Sequence, residues 1–211
     1  MTTAVERLVY VESEGIRLEG MLGVPEEACG IVLFAHGSGS SRLSPRNRFV
    51  AEYLRSEGLG TLLIDLLEPQ EADDRSKVFD INLLTDRLLL ATDWLERNEG
   101  RPTGYFGAST GAAAALCAAS EQPEIGAVVS RGGRPDLALS CLPKVKAPTL
   151  LIVGGMDLPV IPLNRQAYEL LGGEKSMVIV PKATHLFEEP GALERVAELA
   201  AEWFVKFLAK E

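Results

Sequence analysis

No hydrophobic run in this sequence approaches the roughly 20 residues that a bilayer-spanning helix needs, and its apolar stretches are of strand length. Basic residues are outnumbered, with 21 Lys and Arg against 30 Asp and Glu and a formal net charge of −9. A chain so balanced lacks a basic face for phosphate backbones or anionic lipid, so neither nucleic acid nor membrane is an expected partner. Cysteine is scarce: Cys29, Cys117 and Cys141 show no CxxC or other metal-ligand spacing, and Cys29 and Cys117 are expected as small core residues. Histidine is scarcer still, with only His36 and His185. No metal and no cofactor is therefore expected. Residues 1–15 lack the basic-then-apolar pattern of a secretory leader, which makes a reducing cytoplasm the expected compartment.

What is present is an ordinary globular composition, 46% hydrophobic and 24% charged over 211 residues. That length suits one well-buried domain spanning 1–211. The segments 6–12 and 16–22 alternate as an antiparallel pair around Ser13-Glu14-Gly15. The runs 31–35 and 61–67 then read as buried strands, and 101–107, 125–129, 148–153 and 177–180 as further strands. Helical patterns separate them. One begins at Ser44-Pro45; another steps through Ile81, Leu84, Leu88, Ala91 and Leu95; others cover 110–120, about 164–171 and 190–208. Strand–helix alternation along the whole chain predicts a doubly wound, mostly parallel α/β sheet with antiparallel N-terminal strands.

One junction is chemically specific. Gly107-Ala108-Ser109-Thr110-Gly111 follows a strand and opens directly into an alanine-rich helix, the context in which a serine nucleophile sits on a sharp turn. A serine hydroxyl needs a base. In that fold the order is Ser, then acid, then His, which selects His185, in Ala183-Thr184-His185-Leu186-Phe187, over His36. The acid should follow a strand between them. Asp157, just beyond 148–153 and Gly154-Gly155, is that residue, whereas Glu174, Glu188 and Glu189 do not directly follow a strand. For the oxyanion of a tetrahedral intermediate, the Thr110 N–H supplies one donor. Ser38, in His36-Gly37-Ser38-Gly39-Ser40, supplies the other, with Gly39 the next candidate. His36 then shapes that loop.

With Ser109, Asp157, His185 and the His-Gly loop placed, the sequence resembles the α/β-hydrolase superfamily over its full length. Within it the chain is similar to the dienelactone hydrolase-like group, on the segments Phe34–Ser40, Gly107–Gly111 and Ala183–Phe187. The named dienelactone hydrolases carry cysteine at the nucleophile position, where this chain has Ser109. The resemblance implies an α/β-hydrolase fold, a Ser-His-Asp triad and a small-molecule ester substrate cleaved through an acyl-enzyme. Lactones, thioesters or peptide bonds remain alternatives, as does an idle binding module, and the oligomeric state is open between monomer and homodimer.

Substrate contacts are expected from Arg131, Arg134 and Arg42, one of which would hold a carboxylate as arginines do in that group, and from Met156, Leu158 and Phe187 as an apolar pocket. Only about 18 residues separate the strands 125–129 and 148–153, room for one short helix near 136–141 and no cap domain. An uncapped site favours short acyl groups of about two to six carbons, since a poorly enclosed CH₂ gains less than the roughly 0.8 kcal/mol of full burial. The acidic stretch Glu68–Lys77 is the segment that would upset this expectation by folding over the site.

Overall fold

The computed structural model describes residues 5–209, so Met1–Ala4 of the stretch read for a leader lie outside the described residues. Eight strands form one sheet in the order β1-β2-β4-β3-β5-β6-β7-β8. They are β1 (Arg7–Ser13), β2 (Ile16–Gly23), β3 (Ile31–Ala35), β4 (Gly60–Ile64), β5 (Thr103–Ala108), β6 (Ala127–Arg131), β7 (Thr149–Gly154) and β8 (Lys175–Val180). β1 pairs antiparallel with β2, and β2 with β4, while every later pair is parallel. The β1–β2 turn places Glu14 and Gly15 at φ 47° and 85°, as tight hairpins require.

The central parallel strands are buried on both faces, which explains the unbroken apolar run of β3 and the largely apolar β4 and β6. Helices α3 (Ile81–Glu99), α4 (Thr110–Glu121) and α5 (Val160–Leu170) pack on one face. Helices α1 (Pro45–Ser56) and α6 (Ala192–Leu208) cover the other. Local chemistry sets several boundaries. Ser44 caps α1 by accepting the Asn47 N–H, Pro45 occupies the first turn, and Gly100 ends α3 in the left-handed conformation. Thr110 to Ala119 are all buried, so the alanines of α4 let neighbouring layers approach closely.

Three expectations are corrected. β4 stops at Ile64 rather than residue 67, because the Asp65 carboxylate turns aside to accept from the Arg42 backbone and guanidinium. The acidic stretch holds a short helix, α2 (Arg75–Val78), capped by Asp74. The helix expected near 136–141 is two 3-10 turns, Pro135–Ala138 and Leu142–Lys144, and Cys141 between them is joined to Cys117 of α4 by a disulfide. Cys117 is a buried core residue, as expected, and is cross-linked there rather than a free thiol. These two turns are the helical structure between β6 and β7, where a cap domain would have to be inserted. Among the described residues no helix is long and apolar enough to cross a membrane.

Candidate active site at the carboxyl ends of the strands

β5 ends at Ala108 and α4 begins at Thr110, leaving Ser109 alone at the corner with φ 51° and ψ −120°. A non-glycine residue in such a conformation carries about 1–3 kcal/mol of strain, which the surroundings must hold. Here the Ser109 N–H donates to the Arg131 carbonyl at 3.3 Å, while its own carbonyl accepts from Ala112 and Arg134, both at 3.1 Å. The two flanking glycines are needed for close approach. A Cβ on Gly107 would overlap the Ala112 backbone, and one on Gly111 would overlap the Ala35 and His36 carbonyls. The strand–turn–helix geometry follows from that spacing.

Asp157 lies in the turn after β7, 9% exposed, and its Oδ2 is 2.6 Å from His185 Nδ1. That bond orients the ring so that Nδ1–H donates to the carboxylate, leaving Nε2 as the site that can take a proton. The loop carrying His185 is held from several sides. Lys182 and Phe187 adopt φ of 63° and 57°, Glu189 accepts the Thr184 N–H at 3.0 Å, and Glu188 pairs with Arg46 of α1 at 3.0 Å. Bonding to Thr184 holds the Glu189 carboxyl below its ordinary pKa. Gly132 packs against the His185 carbonyl, so the Arg131–Gly132 step touches Ser109 on one side and the His185 loop on the other.

The loop after β3 brings the second histidine to the same end of the sheet. His36 Nε2 accepts the Leu66 N–H at 3.1 Å, and Nδ1 donates to the Gly37 carbonyl at 3.0 Å. Burial lowers its pKa, with the Gly37 bond and Asp65 opposing, so a neutral ring suits both partners. His36 thus shapes the loop, as the sequence suggests. Gly37 sits against Ser109, and the Ser38 N–H donates to Thr110 Oγ1 at 2.9 Å. The two segments expected to supply oxyanion donors are therefore joined, and in this resting arrangement the Ser38 amide is occupied by the Thr110 hydroxyl.

A cavity of about 650 Å³ opens beside Thr110, between the loop from His36 to Arg46 and the segment from Asp65 to Leu84. Neither Ser109, Asp157 and His185 nor Arg131, Arg134, Arg42, Met156, Leu158 and Phe187 are among its lining residues. Arg42 is committed to ion pairs with Asp65 and Glu19, because it bridges the loop after β3 to the strands beside it. Arg131 is 7% exposed, points to Asn47 Oδ1 at 3.5 Å and lies 6.0 Å from the centre of the Phe187 ring. Burial, with Arg46 nearby, pushes its pKa down to about 10. Phe187 is fully buried in the core under α6. Met156 and Leu158 flank Asp157 but point outward, 60% and 67% exposed. The apolar part of the cavity comes instead from Leu67, Val78 and Leu84. In the sequence Leu67 reads as the end of a strand and Leu84 as a helix-face residue, and nothing there assigns them or Val78 to a cavity. Among the described residues no group of three His, Cys, Asp or Glu side chains could hold a metal ion.

No family model matches the chain. Two curated relatives from Mycobacterium tuberculosis strains, provisionally named phosphoribosyl transferases, are each 55% identical over 204 residues, 95% of this chain. The match is 46% of each relative, so the chain spans about half the length of the curated relatives it matches. Among solved structures, Est1E from Butyrivibrio proteoclasticus superposes with a TM-score of 0.83 at 18% identity, covering 96% of this chain and 99% of that one. The Pyrococcus furiosus esterase Pf2001 gives 0.83 at 20% identity, covering 97% and 92%. These two share the fold. A dienelactone hydrolase from Anabaena variabilis superposes with a TM-score of 0.94 at 59% identity, covering 98% of this chain and 99% of that one. Identity of that order through nearly the whole of both molecules places the chain in the dienelactone hydrolase-like group of the α/β-hydrolase family.

Proposed function

We propose that the protein is a serine hydrolase that cleaves carboxylic esters of small molecules through an acyl-enzyme. The observation that carries this reading is the strained Ser109 at the amino end of α4, on the same edge of the sheet as an imidazole bonded to a buried carboxylate at 2.6 Å. In this mechanism His185 Nε2 takes the Ser109 proton as Oγ attacks the ester carbonyl. The Asp157 carboxylate stabilises the imidazolium, which then gives its proton to the departing alcohol. The negative carbonyl oxygen is met by the Thr110 N–H at the positive end of α4 and by the Ser38 N–H, once that amide turns from Thr110 Oγ1 to the substrate. Water activated by His185 then attacks the acyl-Ser109 carbonyl, releasing the acid and restoring the serine.

The esterase names of the structural neighbours support hydrolysis as the reaction class. The mycobacterial relatives carry a transferase name over about twice this length, and nothing in the Ser109 site favours phosphoribosyl transfer. The test is labelling by a fluorophosphonate probe together with turnover of an ester panel, comparing wild type with Ser109→Ala. Labelling and hydrolysis should both vanish in the variant. Ester turnover that survives in Ser109→Ala would overturn the reading.

A further inference from the structure

The cavity beside Thr110 is lined on one side by Ser38 and Thr110, the residues proposed to meet the oxyanion, and on the other by Leu67, Pro69, Ala72, Asp73, Val78 and Leu84. This segment is not a loose surface loop. Glu71, 7% exposed, accepts from the Glu68 N–H at 3.0 Å and from Lys77 Nζ at 2.8 Å. It also faces the buried Arg87 of α3 at 3.4 Å. Burial raises the Glu71 pKa, but Lys77, the Glu68 amide and Arg87 outweigh it and hold the carboxyl below its ordinary value. One buried carboxylate thus ties the start of the segment, its short helix and α3 together. Val78, the last residue of α2, is half-buried on the cavity, and Leu67 and Leu84 lie behind it. No residue of α2 is fully buried, so Val78 is held by its packing against the core together with the ion pairs at Glu71.

We propose that this latched segment is the fixed wall of the acyl pocket, that Val78 sets its depth, and that the preferred substrates carry medium acyl chains of about six to ten carbons. The inference rests on the ester-hydrolase reading and replaces the short-chain preference of an uncapped site. A CH₂ against such a wall, half enclosed, gains about twofold in kcat/KM, set against the roughly fourfold of full burial. Glu71 acts as a positioning residue through the wall, touching neither substrate nor Ser109.

The test is kcat/KM on p-nitrophenyl esters from acetate to dodecanoate, read as the octanoate-to-acetate ratio. Wild type should show a ratio of at least ten. Val78→Trp should lower it at least tenfold, and Val78→Ala should move the optimum to longer chains. Glu71→Ala should flatten the profile, chiefly by raising KM for octanoate, and Glu71→Gln should retain part of the preference because the amide still accepts from Glu68. A wild-type optimum at acetate, or a ratio indifferent to both Val78 variants, overturns the wall. If no ester is turned over in a Ser109-dependent way, the ester reading fails separately. The wall is then decided by calorimetric titration of octanoate, which must bind wild type and bind Val78→Trp at least tenfold more weakly.

Discussion

The two histidines occupy matching places, each on a loop leaving the carboxyl end of a parallel strand, and they differ in what their ring nitrogens do. His36, after β3, has both nitrogens tied to backbone, to the Leu66 N–H and the Gly37 carbonyl. His185, after β8, has one nitrogen on the Asp157 carboxylate and its side chain 37% exposed. A ring saturated by backbone bonds holds a loop and cannot take up a proton without losing a bond. A ring bonded to a carboxylate through Nδ1 has its other nitrogen, Nε2, turned away from that bond and able to act on a substrate. The same side chain is thus a strut in one region and, in the mechanism proposed above, the base in the other, and the partner decides which.

The sharpest way to break this contrast is to delete each ring. His185→Ala should lower kcat by about 10⁴- to 10⁶-fold, since base and nucleophile act as a unit, whereas His36→Ala should cost less than about tenfold in kcat/KM. Equal losses in steady-state assays would reverse the assignment of the base. Asp157→Asn comes next, with an expected drop of about 10³- to 10⁴-fold in kcat because the amide no longer favours the productive tautomer. A loss under tenfold would remove Asp157 from the mechanism.

A change remote from both loops serves as the control. The Cys117–Cys141 bond closes a separation of 24 residues, for which chain entropy gives about 3 kcal/mol of stability. Cys141→Ser should lower the denaturant midpoint accordingly while leaving kcat within about twofold; a collapse of kcat would tie the disulfide to the site. Between the loops, Thr110→Val removes the acceptor of the Ser38 amide and should cost about five- to tenfold in kcat, with Thr110→Ser close to wild type.

The smallest effect separates the histidines by pH. Burial lowers the His36 pKa, so the unfolded chain binds the proton more tightly than the folded one. The stability that its neutral ring supplies is present above the ordinary histidine range and is lost as pH falls through the lowered folded value. Thermal midpoints measured downward from pH 7 should therefore fall more steeply for wild type than for His36→Ala. Parallel curves would contradict a neutral, backbone-bonded ring.

How much of this was legible differs along the chain for a physical reason. The Ser109 corner was readable because five consecutive positions carry its pattern, although only Gly107 clears a neighbour in sequence, the Ala112 backbone, while Gly111 clears the distant Ala35 and His36 carbonyls. Strands β3, β5 and β7 were readable because burial on both faces leaves a continuous apolar run. The ends of β4 and of the 136–141 segment were misplaced because their limits depend on distant partners, Arg42 for Asp65 and Cys117 for Cys141.

By itself the sequence determined the layered sheet, the strained serine corner, and the order in which acid and base follow it, since short-range sterics and apolar periodicity write these into adjacent residues. Only the tertiary structure decided that Arg42 and Arg131 are turned to Asp65 and to Asn47, that Phe187 is core, and that Leu67, Val78 and Leu84 wall the cavity. A charge or an apolar side chain has no preferred partner until the chain brings one within a few ångströms. For these residues that partner lies on another element, positioned by the packing of the whole sheet.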